Sequence, residues 1–221
     1  MANKKSTLKK KEEAKGDINF PKVIFNVAWI AIALGLAMEL LLLIIAAGFG
    51  KTLTSGAVIA DSVQKVTWSF FVCTGVALGT IASRMRAQFM GLAGLIAAPI
   101  AFTVAKAMHK STAQALSIPI AAITGPSPLL LAAIKGVEYA ALGAILGWYG
   151  SKLDLKFKWH LTIGLAIGVL FGGIIIFIVV GQTIPAMALS GKIALSANEL
   201  IFPVGCATVL YTAQQIGARS R

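Results

Sequence analysis

Apolar residues run along this chain in six long stretches, near Val23–Ala47, Val66–Ser83, Phe89–Ala107, Pro128–Gly150, Trp159–Gly181 and Leu195–Gln215, with short polar segments between them. Crossing roughly 30 Å of hydrocarbon takes about 20 helical residues, and each stretch approaches or exceeds that length. Backbone amides find no water inside lipid, so segments this apolar are predicted to be helical. The short alternating strands of a membrane β-barrel do not occur. The pattern therefore predicts an all-α fold, a polytopic membrane bundle of about six transmembrane helices. A tail over residues 1–22 precedes a single transmembrane domain over 23–221. The first stretch, at about 25 residues, is too long for the core of a cleaved signal peptide and reads as a first transmembrane helix.

Composition agrees with this pattern. The chain of 221 residues is 57% hydrophobic and 13% charged, with a mean hydropathy of +0.84. A soluble domain of that size exposes much of its area and needs polar residues to cover it.

The net charge of +12 is placed unevenly. Seven lysines from Lys4 to Lys22 precede the first stretch. Arg84 and Arg86 follow the second, Lys152, Lys156 and Lys158 follow the fourth, and Arg219 and Arg221 end the chain. With six spans all fourteen share one side, and only Lys51, Lys65, Lys106, Lys110 and Lys192 fall on the other. The positive-inside rule then puts both termini in the cytoplasm, and the short loops suit a cell inner (plasma) membrane. This distribution speaks against a nucleic-acid partner. The tail, with Lys4, Lys5, Lys9, Lys10 and Lys11, reads as a solvated orientation signal, a contact for anionic lipid or a docking arm for a cytoplasmic partner.

The chain also repeats itself. Gly75-Val-Ala-Leu-Gly79-Thr-Ile-Ala-Ser83-Arg84 lines up without a gap on Gly143-Ala-Ile-Leu-Gly147-Trp-Tyr-Gly-Ser151-Lys152. A shift of 133 residues puts Gly35 on Gly168, Gly48 on Gly181, Cys73 on Cys206 and Arg86 on Arg219. The expectation is three tandem two-helix hairpins, approximately 23–86, 87–158 and 159–221, the middle one enlarged by a proline-rich outer segment, 113–128. That segment is expected to lie along the interface or to re-enter the bilayer. Glycines every four residues, at Gly164, Gly168 and Gly172 and in the two repeated motifs, predict close helix seams. Pro99 and Pro203 are expected to kink spans three and six.

Ionisable groups inside spans are costly and are functional candidates for that reason. By helical rise Glu39 lies about 12 Å below the outer end of span one, and Lys135 lies at nearly the same depth in span four. Glu138 is one turn deeper on the same face as Lys135, and Glu199 lies about 6 Å inside span six. Asp61 falls in an outer segment. The expectation is a polar vestibule opening outward, with Glu39, Lys135 and Glu138 as its floor and Glu199 nearby, acting on a substrate or ion. Two other readings stay open: an ion pair that locks spans one and four, and a contact with another subunit. His160 and His109 read as interfacial groups at opposite ends of the bundle. Hydrolase, P-loop and metal-site motifs are absent, so neither enzyme activity nor a cofactor is expected. Two functions fit: a small transporter or membrane solute-binding protein, and a non-catalytic subunit of a larger membrane complex. The bilayer is the expected partner in both, together with other membrane subunits or further copies of the chain.

Overall fold

The computed structural model of the chain describes residues 20–81, 85–119, 124–152 and 156–219. The basic tail and the loop holding Arg84 lie outside these residues. The described residues form six helices and no β-strand: α1 (Phe20–Gly48), α2 (Ser55–Leu78), α3 (Arg86–Ala115), α4 (Pro128–Lys152), α5 (Phe157–Gln182) and α6 (Leu189–Arg219). All except α2 are long and apolar enough to cross a membrane.

Helix ends follow local chemistry. Thr54, in extended conformation, caps α2 by accepting from the Ala57 amide at 3.3 Å. This satisfies one of the four donors that a helix start leaves orphaned. At the end of α1, Gly50 adopts φ +67°, the Lys51 amide donates to the Ala46 carbonyl, and the Gly50 amide donates to that of Ala47. These are the two bonds of a Schellman stop, which needs a left-handed residue where glycine sits. Pro128 opens α4 at the first helical position, where its missing donor costs nothing.

Two boundaries depart from expectation. The second helix begins at Ser55 rather than Val66, so Asp61 and Lys65 belong to a helix and not to an outer loop. Its first three turns are too polar to register as an apolar run, yet Gln64 and Lys65 face the bundle interior, where hydropathy is no guide. The third helix likewise runs to Ala115, past the expected end at Ala107. The described part of the proline-rich segment contains no helix after Ala115. Thr124 there exchanges two backbone hydrogen bonds with Ile184, tying the loop before α4 to the loop before α6.

The helices pack in sequence order around a ring. Helix α1 lies between α2 and α6, and α3 lies between α2 and α4; α5 rests mainly on α6, and its contact with α4 is slight. Helices α2, α4 and α6 meet at the centre. There Trp68 stands edge-on to Tyr139 at 5.6 Å and to Phe202 at 6.1 Å, and Cys73 and Cys206 are wholly buried against each other. Contacts this close need small residues. A Cβ on Gly94 would collide with the Tyr139 carbonyl, and one on Gly143 would collide with that of Met90. The stripe Gly164, Gly168 and Gly172 seats α5 on Val204, Leu200 and Glu199 of α6. Gly35 meets Val66 and Gly168 meets Leu200, contacts that agree to within one residue under the 133-residue shift. The repeated Gly75/Gly79 and Gly143/Gly147 motifs both face α3, from opposite sides.

Polarity is inverted relative to a soluble protein. Phe25, Trp29 and Ile44 on α1, Leu92 and Ile96 on α3, and Leu170 and Phe177 on α5 are exposed, while Glu39, Lys135, Glu138 and Glu199 are buried. His160, near the start of α5, also turns inward and is buried edge-on to Tyr211 at 5.0 Å.

Gly94→Ala should destabilise the α3–α4 seam by about 1–3 kcal/mol, the usual cost of forcing an atom into a packed interface. Gly173→Ala, where an added Cβ meets nothing within 4 Å, is the matched control. Thermal unfolding in one mild detergent compares them, and equal midpoints would contradict the seam.

Candidate functional site

The charged core starts from the i,i+3 spacing of Lys135 and Glu138 on α4, which places both side chains on one helix face. Lys135 Nζ lies 2.8 Å from Glu138 Oε2 and 2.5 Å from Glu199 Oε2, so a single ammonium is shared between two helices. All three residues are buried, Glu138 completely. Glu199 Oε1 also accepts from Asn198 Nδ2 at 3.2 Å. Among the described residues Glu138 Oε1 has no partner, and neither does the buried hydroxyl of Tyr139, the next residue on α4. Charges are costly to take out of water, so this arrangement holds only while the ammonium and the carboxylates compensate one another.

Glu39 does not join them. Helix α1 packs mainly on α2 and α6, and among the described residues Lys135 pairs with Glu138 and Glu199 rather than with Glu39. Glu39 instead lies within the field of Lys65 and Asp61 from α2. Asp61 is bound to His109 of α3, with the carboxylate 3.0 Å from the imidazole Nε2. The bridge that forms joins spans four and six through Glu199.

A partly open cavity of about 110 Å³ lies beside this cluster, at the end of the bundle away from the C-terminus. Helix α2 lines it with Gln64, Lys65 and Trp68, and α3 adds Phe102 and Ala105. Lys135 comes from α4, and Asn198, Glu199 and Phe202 complete the wall from α6. Lys106 caps the Phe102 ring, its Nζ 4.5 Å from the centroid. Lys135 Nζ lies 5.7 Å from the Trp68 centroid and 5.9 Å from that of Tyr139. Cation–π contact at such distances adds to the hold on each ammonium. Behind Glu199, α5 carries a π-helical turn at Gly168–Gly172, and Gly172 lies against the Glu199 backbone.

Two of the expected site residues, Lys135 and Glu199, line the cavity. Glu138 backs it and Glu39 stands apart. Reading along the chain missed Gln64, Lys65, Trp68 and Asn198. Extending α2 outward from Val66 by its 3.6-residue turn would have put Lys65 and Trp68 on one face. Among the described residues no three His, Cys, Asp or Glu side chains converge as metal ligands would.

No protein family, curated protein or solved structure matches the chain. Any function must therefore be argued from the site itself.

Replacing Lys135 by Met should cost about 3–5 kcal/mol, because two buried carboxylates lose their compensation. Adding Glu138→Gln and Glu199→Gln to that variant should recover most of the loss. Unfolding midpoints of the single and triple variants decide it, and a single variant as stable as the parent protein would contradict the shared-ammonium arrangement.

Proposed function

We propose that the chain is a small integral membrane protein that binds, and carries across the bilayer, a small polar solute admitted from the extracytoplasmic side. The observation that carries this reading is the cavity: it is partly open, and its wall holds the ammonium groups of Lys65 and buried Lys135, one carboxylate and two carboxamide side chains. Concave sites with a few convergent polar groups on an aromatic frame are the usual form of small-molecule sites. A purely structural ion pair needs no adjoining space.

Membrane insertion is supported by the inverted polarity of the bundle and by its five long apolar helices. The remaining helix, α2, turns Gln64 and Lys65 toward the cavity, and as a sixth crossing it makes their number even. Both termini then share one face, and the lysine and arginine excess assigns that face to the cytoplasm of an inner (plasma) membrane. The cavity consequently opens outward.

A second reading, an accessory subunit of a larger membrane complex, is favoured by one observation. Helices α4 and α5 touch only slightly, and exposed Val137 and Leu170 lie on those two helices. A partner helix seated at that seam would bury them.

Purification in mild detergent followed by thermal unfolding against a panel of small solutes separates the two readings. Solute binding raises the midpoint by mass action, by about 2.7 kcal/mol of stabilisation at a hundredfold excess over Kd. The transport reading predicts one solute class with this effect, lost in Asn198→Ala. Stoichiometric co-purification with other membrane chains, with no solute effect, would contradict it.

A further inference from the structure

The charge around the cavity narrows the solute class, on the proposed reading that the cavity binds a solute. We propose that the site takes a small organic monoanion together with one proton, the proton being held by Glu138.

The anion preference begins with the lining. Of its charged groups, Lys65 has no carboxylate within ion-pair distance among the described residues, whereas Glu199 is already engaged by Lys135 and Asn198. The aromatic rings do not form a cage awaiting a cation, because Lys106 already sits over Phe102 and Lys135 lies near Trp68 and Tyr139. Lys51, Lys106, Lys110 and Lys192 fall at the same end of the bundle as the cavity, where Asp61 is tied to His109. A lysine-rich approach of this kind concentrates anions and repels cations.

Size limits the solute further. A cavity of about 150 Å³ holds benzene, so about 110 Å³ admits roughly four or five non-hydrogen atoms. Trp68, Phe102 and Phe202 offer apolar walls to its body, and Gln64 and Asn198 offer amide donors to its head.

The proton follows from charge balance. One ammonium against two carboxylates leaves the cluster of Lys135, Glu138 and Glu199 one negative charge in excess when all are ionised. A bound monoanion that draws on the Lys135 ammonium adds a second negative charge beside the cluster, and Lys65, the other cation of the cavity wall, offsets only one of the two. Glu138 is the carboxylate that gives way. It is wholly buried, it loses its ion pair when Lys135 turns to the anion, and its Oε1 has no partner among the described residues. Glu199 keeps the Asn198 amide. The ionisable groups facing Glu138 are Lys135 and Tyr139 on its own helix, Glu199 and Cys206 from α6, and Cys73 from α2. Apart from Lys135 none of them is a cation, so nothing else compensates it. A proton taken from water onto the Glu138 carboxylate restores the balance, while Lys135 stays an ammonium throughout.

Isothermal titration of the detergent-solubilised full chain tests this, with propanoate, propanamide and propylammonium as probes. Heats measured in two buffers of different ionisation enthalpy count the protons exchanged. The expected result is binding of propanoate alone, with about one proton taken up per anion and affinity falling about tenfold per pH unit while free Glu138 is ionised. In Glu138→Gln the proton uptake should vanish. The wild-type proton count and pH series stand without that variant if it fails to fold. Binding of propylammonium in place of propanoate overturns the anion class, and propanoate binding without proton uptake overturns the role of Glu138. If none of the three probes binds to well-folded protein, the solute-binding reading itself falls.

Discussion

One ammonium shared between two buried carboxylates is the constraint on which the rest of this bundle depends. Lys135 cannot sit at the centre of an apolar helix ring without partners, and Glu138 and Glu199 cannot sit there without Lys135. Satisfying all three fixes α4 against α6 at one depth and one rotation. Once that register is set, Trp68 of α2 is held against Tyr139 and Phe202, and the space left beside the cluster becomes the cavity. Glycine-lined seams then bring α3 and α5 close enough to enclose it.

The same constraint ties stability to function. A site that must accept charge at low dielectric needs counter-charges already in place, and these are costly unless paired with each other in the empty state. The Lys135 cluster meets both needs. Its ammonium is shared between the two carboxylates at rest, and on the proposed function its excess negative charge makes it responsive to a proton or to a competing anion. The π-helical turn of α5 beside Glu199 adds a local irregularity at this depth, as such turns commonly do near functional groups.

How much of this could be read along the chain depends on what each residue faces. Helices that present apolar side chains outward, such as α1 with Phe25, Trp29 and Ile44, were legible because hydropathy reports on the surrounding medium. Helix α2 was read too short because Gln64 and Lys65 turn inward, where the same signal is inverted. Glu39, Lys135, Glu138 and Glu199 stand out together in the sequence because charge at such depth is costly on any helix face. Their partnership does not: helical rise gives depth but not rotation, and neighbour order in the ring gives which helices meet. Glu39 matches Lys135 in depth yet lies on a helix that packs mainly on α2 and α6. Asn198 and Trp68 carry no charge and left no depth signal, although both line the cavity.

The central claim, a charged cavity inside the bundle that opens to the extracytoplasmic side, is tested most directly by site-directed labelling in intact cells. Single cysteines at Gln64 and Ala105, in a background lacking Cys73 and Cys206, would be exposed to a membrane-impermeant thiol reagent. Both should be modified from outside, with a cysteine at Lys158 modified only after the membrane is broken. Protection of Gln64 and Ala105 in intact cells, with Lys158 labelled, would contradict it.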